Sequence, residues 1–197
     1  MSTIAPPPLD PRSPSVQHDN AVALATLKRG APRSVASSLL ALAGFGAVTL
    51  AAGAVSAIVH RSARNRLWYR TLRKPRFTAP SALYPVVWSA LYAGAAISAW
   101  RVWRTPSSRA RTEALALWGG QLVLNTAWSP LFFGAHRPRL ALADLGGNLG
   151  ALGAYAAAAA RVDGVAAALV GPYLGWLGYG AATNAGIIRK NAWRLRG

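Results

Sequence analysis

Five long stretches of the chain run with little or no charge, at 35–59, 77–100, 114–135, 140–160 and 165–188, and basic residues gather in the gaps between them. Asp144 alone interrupts this pattern inside a stretch. Each stretch exceeds 20 residues. At a helical rise of about 1.5 Å per residue that is enough to cross a hydrocarbon layer of about 30 Å, where only a helix or a closed barrel satisfies its own backbone. The pattern predicts an all-α integral membrane protein built as a bundle of five transmembrane helices. Pro80 is expected in the first turn of the second helix, and Pro85 and Pro130 to bend the second and third. Residues 1–34, rich in Pro, Ser and charge, read as a disordered basic tail, and 192–197 as a short basic one. The first apolar run starts late and is long, which predicts a retained helix instead of a cleaved signal peptide.

Hydrophobic residues make up 53% of the chain and charged ones 14%, a balance that suits lipid as solvent. A net charge of +17 would also fit nucleic acid, but the basic residues sit between the apolar runs and do not stripe a helix face. That placement suits lipid head groups, so membrane lipids are the expected partners and nucleic acid is not. With five spans, one side holds four Lys and Arg in the tail, four between spans two and three and one between four and five; the other holds seven, two and four. The richer side carries the carboxyl terminus, which is therefore expected in the cytoplasm. The Ala-, Arg- and Gly-rich composition suits a bacterial source with a GC-rich genome, for which the expected membrane is the plasma membrane.

Eight Trp and six Tyr suggest interfacial belts, and Trp68, Tyr69, Trp100, Trp103 and Trp193 flank the spans accordingly. The rest lie inside them. Trp88 and Tyr92 share a face of span two; Asn125, Trp128 and Phe132 share one of span three; Trp176, Gly180 and Asn184 recur every four residues in span five. The two asparagines are expected to face the bundle and bond each other or a ligand, and spacing leaves open an interhelical clamp with no ligand. Asp144 is expected to pair with Arg137 or Arg139. The GxxxG spacings Gly146–Gly150 and Gly171–Gly175 would allow close helix approach and offer span four as a dimer face. Without cysteine there is no disulfide or thiolate ligand, and His18, His60 and His136 form no metal-binding pair. No metal site, acid–base pair or nucleophile constellation is expected.

Residues 68–92, WYRTLRKPRFTAPSALYPVVWSALY, resemble the first loop and second helix of the TspO/MBR family of translocator and tryptophan-rich sensory proteins. The likeness runs through Trp68, Tyr69, Leu72, Lys74, Pro75, Pro80, Pro85, Trp88, Leu91 and Tyr92. QLVLNTAWSPLFFG at 121–134 resembles its third helix through Gln121, Asn125, Trp128, Phe132, Phe133 and Gly134, and PYLGWLGYGAATN its fifth through Pro172, Tyr173, Trp176 and Asn184. The resemblance covers 35–191. It implies a dimeric five-helix bundle with a pocket near the first loop, lined by helices one, two, three and five, and places Tyr69, Trp88, Tyr92, Asn125, Trp128, Trp176 and Gly180 at the ligand. Phe77 and Ala79 depart from the family's usual Trp and first Pro, and Arg76 makes the loop more basic. The central Tyr of the sterol motif at the end of helix five is absent, so sterol binding is not expected by that route.

The expected function is binding of a porphyrin, protoporphyrin IX or haem, or a similar flat lipid-like molecule, in tetrapyrrole sensing, trafficking or regulation. No resident cofactor is required. Indole and phenol rings would stack on the disc while Arg73, Lys74 and Arg76 meet its carboxylates. An enzyme is not the leading expectation; the alternatives are light-dependent porphyrin breakdown involving Trp88 and Trp176, and a small permease.

Overall fold

The computed structural model describes the backbone of residues 13–30 and 34–192, and side chains over 13–22 and 34–192. Among these residues all the regular structure is helical: α1 Pro14–Gly30, α2 Val35–Arg61, α3 Ala63–Thr71, α4 Leu83–Arg104, α5 Arg109–Ser129 continued by a π-helical turn Pro130–Gly134, α6 Pro138–Ala160, α7 Gly164–Leu169 and α8 Gly171–Lys190. The described residues before Val35 fall in a compact unit of their own. That unit holds α1, where the composition predicts an irregular tail. Its AVALATLKR run carries good helix formers, and Ser13 starts the helix by accepting from the Val16 N–H at 3.4 Å.

In the larger unit the helix boundaries differ from the charge-free runs where turn chemistry decides. The second long helix begins at Leu83 and not at residue 77. Pro80 sits in a turn, its carbonyl accepting from the Leu83 N–H at 3.0 Å, and Pro85 occupies the third helical position, where the missing N–H has no intrahelical partner to lose. Pro85 therefore introduces no bend of the expected kind. Pro130 does perturb its helix. The ladder widens there into a π turn, with the Ala135 N–H donating to the Pro130 carbonyl at 2.7 Å. The third helix starts early, at Arg109, because Ser108 accepts from the Arg111 N–H at 3.1 Å. The fifth run breaks in two at Val170, before Gly171 and Pro172, which removes a donor from the first turn of α8.

Packing proceeds in a chain of neighbours. α2 lies on α4 and α5, α5 on α6, α6 on α8 and α7, and α7 returns to α4. The contacts are small against large: Ala95, Ala99 and Ala114 let the helices approach, and Trp118, Leu152, Tyr155 and Leu177 fill the space. Buried polar groups tie the joints. Trp118 Nε1 donates to the Ala95 carbonyl at 3.1 Å, and the Ser98 hydroxyl lies 2.5 Å from Tyr155 Oη while donating to the Ala166 carbonyl at 2.6 Å. Apolar side chains also cover the outside: Leu40, Leu50, Val86 and Val123 are each about 70% exposed. By length and composition, Val35–Arg61 and Gly164–Lys190 qualify as membrane-crossing segments.

Asp163 caps α7 by accepting from the Ala166 N–H at 3.0 Å and pairs with Arg101 at 3.0 Å. Burial alone would raise its carboxyl, but these donors outweigh burial and hold the pKa below the ordinary value. Such a group stabilises fully above its unfolded pKa of about 4, and the contribution is lost as pH falls through the folded value. Asp163→Asn should therefore destabilise the detergent-solubilised protein by on the order of 1 kcal/mol at pH 7. Its thermal midpoint should also fall less steeply than the parent's as pH drops below about 4.

Candidate functional site

Tyr84, Trp88 and Tyr92 recur every four residues on α4, and Tyr173, Trp176 and Tyr179 every three on α8, so each helix presents an aromatic edge. α4 and α8 make almost no backbone contact, and the rings span the gap. Trp88 meets Tyr173 edge to face at 5.7 Å between centroids, and Tyr84 meets Trp176 at 5.6 Å. Along each helix the rings continue, Trp88 to Tyr92 at 5.3 Å and Trp176 to Tyr179 at 4.9 Å. Trp88 and Trp176 remain partly exposed, unlike Tyr173.

Asn125 on α5 donates to Tyr92 Oη at 2.9 Å and fixes that ring against α2, where a Cβ on Gly53 would come within 2.8 Å of it. The absence of a side chain at Gly53 is what lets Tyr92 lie there. Farther along α5, Trp128 stacks on Phe132 at 5.1 Å, and Phe133 takes the edge of Tyr69 at 5.3 Å. Several polar groups are buried without a hydrogen-bond partner: Trp128 Nε1 and Tyr173 Oη among these rings, and both amide atoms of Gln121 on α5 and Asn148 on α6. They can meet a ligand's polar atoms or trapped water.

The segment after α3 lies along α8, held at three places. Asn191 accepts from the Arg73 N–H at 3.0 Å and donates to the Arg73 carbonyl at 2.9 Å, while also donating to Ile187 in its own helix at 2.8 Å. Gly186 lies under Pro75, and a Cβ there would overlap the proline ring. Tyr179 Oη accepts from the Ala79 N–H at 2.6 Å and donates to the Phe77 carbonyl at 3.3 Å. Lys74 sits 4.4 Å from the centre of the Tyr69 ring, and burial lowers its pKa. The Tyr69 phenol is raised, first by burial and then by Tyr179, which brings the loop and α8 sides of the mouth within electrostatic range.

Of the residues expected at the ligand, Trp88, Tyr92, Asn125 and Trp176 gather around the α4–α8 gap, while Tyr69 and Trp128 join through Phe132 and Phe133. Gly180 faces Leu145 of α6, 3.9 Å from where its Cβ would lie. The asparagines do not bond each other. Asn184, with its amide oriented by its neighbours, donates to the Pro138 carbonyl at 3.1 Å and accepts from the Leu142 N–H at 3.2 Å, locking α8 to the first turn of α6. Asp144 pairs with neither Arg137 nor Arg139; its Oδ2 is buried without a partner, because residues 137 and 139 point outward from the helix start. Of the belt residues, Trp68 stacks on His136 at 4.3 Å and Trp100 donates to the Ser38 carbonyl at 2.9 Å; Trp193 lies outside the described residues. Sequence reasoning passed over Tyr84, Tyr173, Tyr179 and Asn191 as site residues. The four-residue step from Tyr84 to Trp88 and the three-residue steps from Tyr173 were the signal for the first three; nothing local marks Asn191. Among the described residues no three His, Asp or Glu side chains cluster to hold a metal.

The family model of the TspO/MBR family matches residues 45–189. The chain belongs to the TspO/MBR family. It is 37% identical to the pig (Sus scrofa) translocator protein over 132 residues, which cover 66% of this chain and 78% of that protein. Protein CrtK of Rhodobacter capsulatus is likewise 37% identical, over 147 residues covering 73% and 85%. The tryptophan-rich sensory protein of Cereibacter sphaeroides is 34% identical over 124 residues, 63% and 77%. In this TspO/MBR membrane protein the matched region takes in α4, the loop after α3 and all but the last residue of α8.

Asn191→Ala removes both side-chain bonds to Arg73. The loop should open more often, and limited trypsin digestion in detergent should cut after Arg73 and Arg76 on the order of tenfold faster, as expected for about two lost hydrogen bonds. Tyr155→Phe, remote from the loop, should leave these cleavage rates unchanged.

Proposed function

We propose that this TspO/MBR protein crosses the bacterial plasma membrane five times, through α2, α4, α5 with its π turn, α6 and α7–α8, with its carboxyl terminus in the cytoplasm. Between α4 and α8 it binds a porphyrin or haem-type tetrapyrrole, or a similar flat hydrophobic molecule, and acts in tetrapyrrole sensing, trafficking or regulation. The observation that carries this reading is the pair of aromatic edges facing across a gap that backbone contacts do not close. A planar macrocycle can replace the ring-to-ring contacts of Trp88 and Trp176 with stacking on its own faces. Its anionic edge would meet Lys74 and the basic loop at the mouth, and the unpartnered Trp128 Nε1 and Tyr173 Oη supply donors within. The apolar exterior and the excess of Lys and Arg on the carboxyl-terminal side support the membrane placement.

A second copy of the chain fits the outer face of α6. Cβ atoms at Gly146, Gly150 and Gly153 would meet nothing within 4 Å, so a smooth strip is open to another helix.

Protoporphyrin IX titrated into the detergent-purified protein in the dark should quench tryptophan emission saturably. Trp88→Ala and Trp176→Ala should each weaken binding about five- to tenfold, the scale of one aromatic contact, with the helical content unchanged. Trp103→Phe, on the far end of α4, should bind like the parent. Unaltered affinity in both alanine variants would remove the α4–α8 gap as the site.

A further inference from the structure

A concavity lies between α8 and the loop after α3. It is a groove of about 630 Å³ lined by Pro75, Phe77, Ala182, Ala185, Gly186, Arg189 and Lys190. Ala182, Ala185 and Arg189 follow one another at intervals of three and four, so they share a stripe, and Trp176 and Gly180 project from the other side of the helix. The floor is methyl groups and bare backbone; one wall is the Pro75 ring and the exposed Phe77; the end is closed by two cations, and no carboxylate is among the lining residues. The wall is held in place, since Asn191 grips Arg73 and Tyr179 grips Phe77 and Ala79.

An apolar trough that opens sideways from a membrane helix and ends in two cations has the polarity of a phospholipid, with its acyl chain against Ala182 and Ala185 and its phosphate at Arg189 and Lys190. Arg73, whose backbone Asn191 holds, adds positive charge near the same end. The geometry points to a binding site for one anionic phospholipid of the carboxyl-terminal leaflet. The phosphate is held by Arg189 and Lys190 and one chain lies in the groove between α8 and the loop. The charge selects anionic over zwitterionic head groups, and the groove distinguishes a seated lipid from a diffuse ionic atmosphere.

The test reconstitutes the full chain in vesicles of phosphatidylcholine with increasing phosphatidylglycerol and counts the lipids retained after extraction by native mass spectrometry. One phosphatidylglycerol per protomer should persist, preferred over phosphatidylcholine about tenfold or more, and Arg189→Gln with Lys190→Gln should lower that preference about tenfold. Ala185→Trp keeps every charge but fills the groove and should lower retention to a similar degree; Ala182→Leu does the same with a smaller intrusion should the tryptophan variant not fold. Arg70→Gln with Arg139→Gln removes as much charge away from the groove and should retain the parent's lipid. Three results would overturn the site: equal retention of the two lipids by the parent, full retention in the groove-filling variants, or an equal loss in the Arg70 and Arg139 pair.

Discussion

Backbone between α3 and α4 is irregular, and the groups its own turns do not pair must find hydrogen-bond partners elsewhere. Here α8 supplies them. The N–H and carbonyl of Arg73 are both taken by the Asn191 amide, and the Ala79 N–H and Phe77 carbonyl by the Tyr179 hydroxyl, while Gly186 lets Pro75 settle onto the helix between these anchors. The loop thereby becomes a fixed wall of α8. On one side it brings Lys74 and Tyr69 to the mouth of the aromatic gap, and on the other it turns an outer helix face into a groove. Remove the anchors and the groove loses a wall.

A similar division governs the interior. At some helix joints polar groups are paired across the contact, as with Ser98, Tyr155 and Ala166, or Asn184 against the first turn of α6. Elsewhere the pairing is incomplete: Trp128 Nε1 and Tyr173 Oη are left over among the aromatic rings, as are the Gln121 and Asn148 amides on α5 and α6. Unmet donors and acceptors of this kind are destabilising in a closed core and useful beside a space that receives a ligand.

The helical runs and the family were legible from the absence of charge and from motifs such as WYxxLxKP and the Asn125–Trp128 spacing. Helix ends were less so, because they turn on single capping contacts: Ser108 extends α5 backward, and Pro80 starts a turn instead of a helix. The faces carrying Trp88, Tyr92, Asn125 and Trp176 followed from three- and four-residue spacing, but which groups would touch did not. Asn125 and Asn184 read alike as inward polar residues, yet one positions a ring beside the gap and the other bolts two helices together. Asn191 was invisible because its partner is 118 residues away in the chain. Pairwise contacts between distant segments depend on tertiary register, which periodicity does not carry.

The pinned loop over the aromatic gap is tested most directly by residue-resolved amide hydrogen exchange of the reconstituted protein, with and without protoporphyrin IX in the dark. The Arg73 and Ala79 amides, donated to α8 side chains, should exchange far more slowly than the neighbouring Arg76 amide in the free protein and slow further when the ligand fills the gap beneath them. Exchange of both amides at the rate of an open loop, indifferent to porphyrin, would contradict the account.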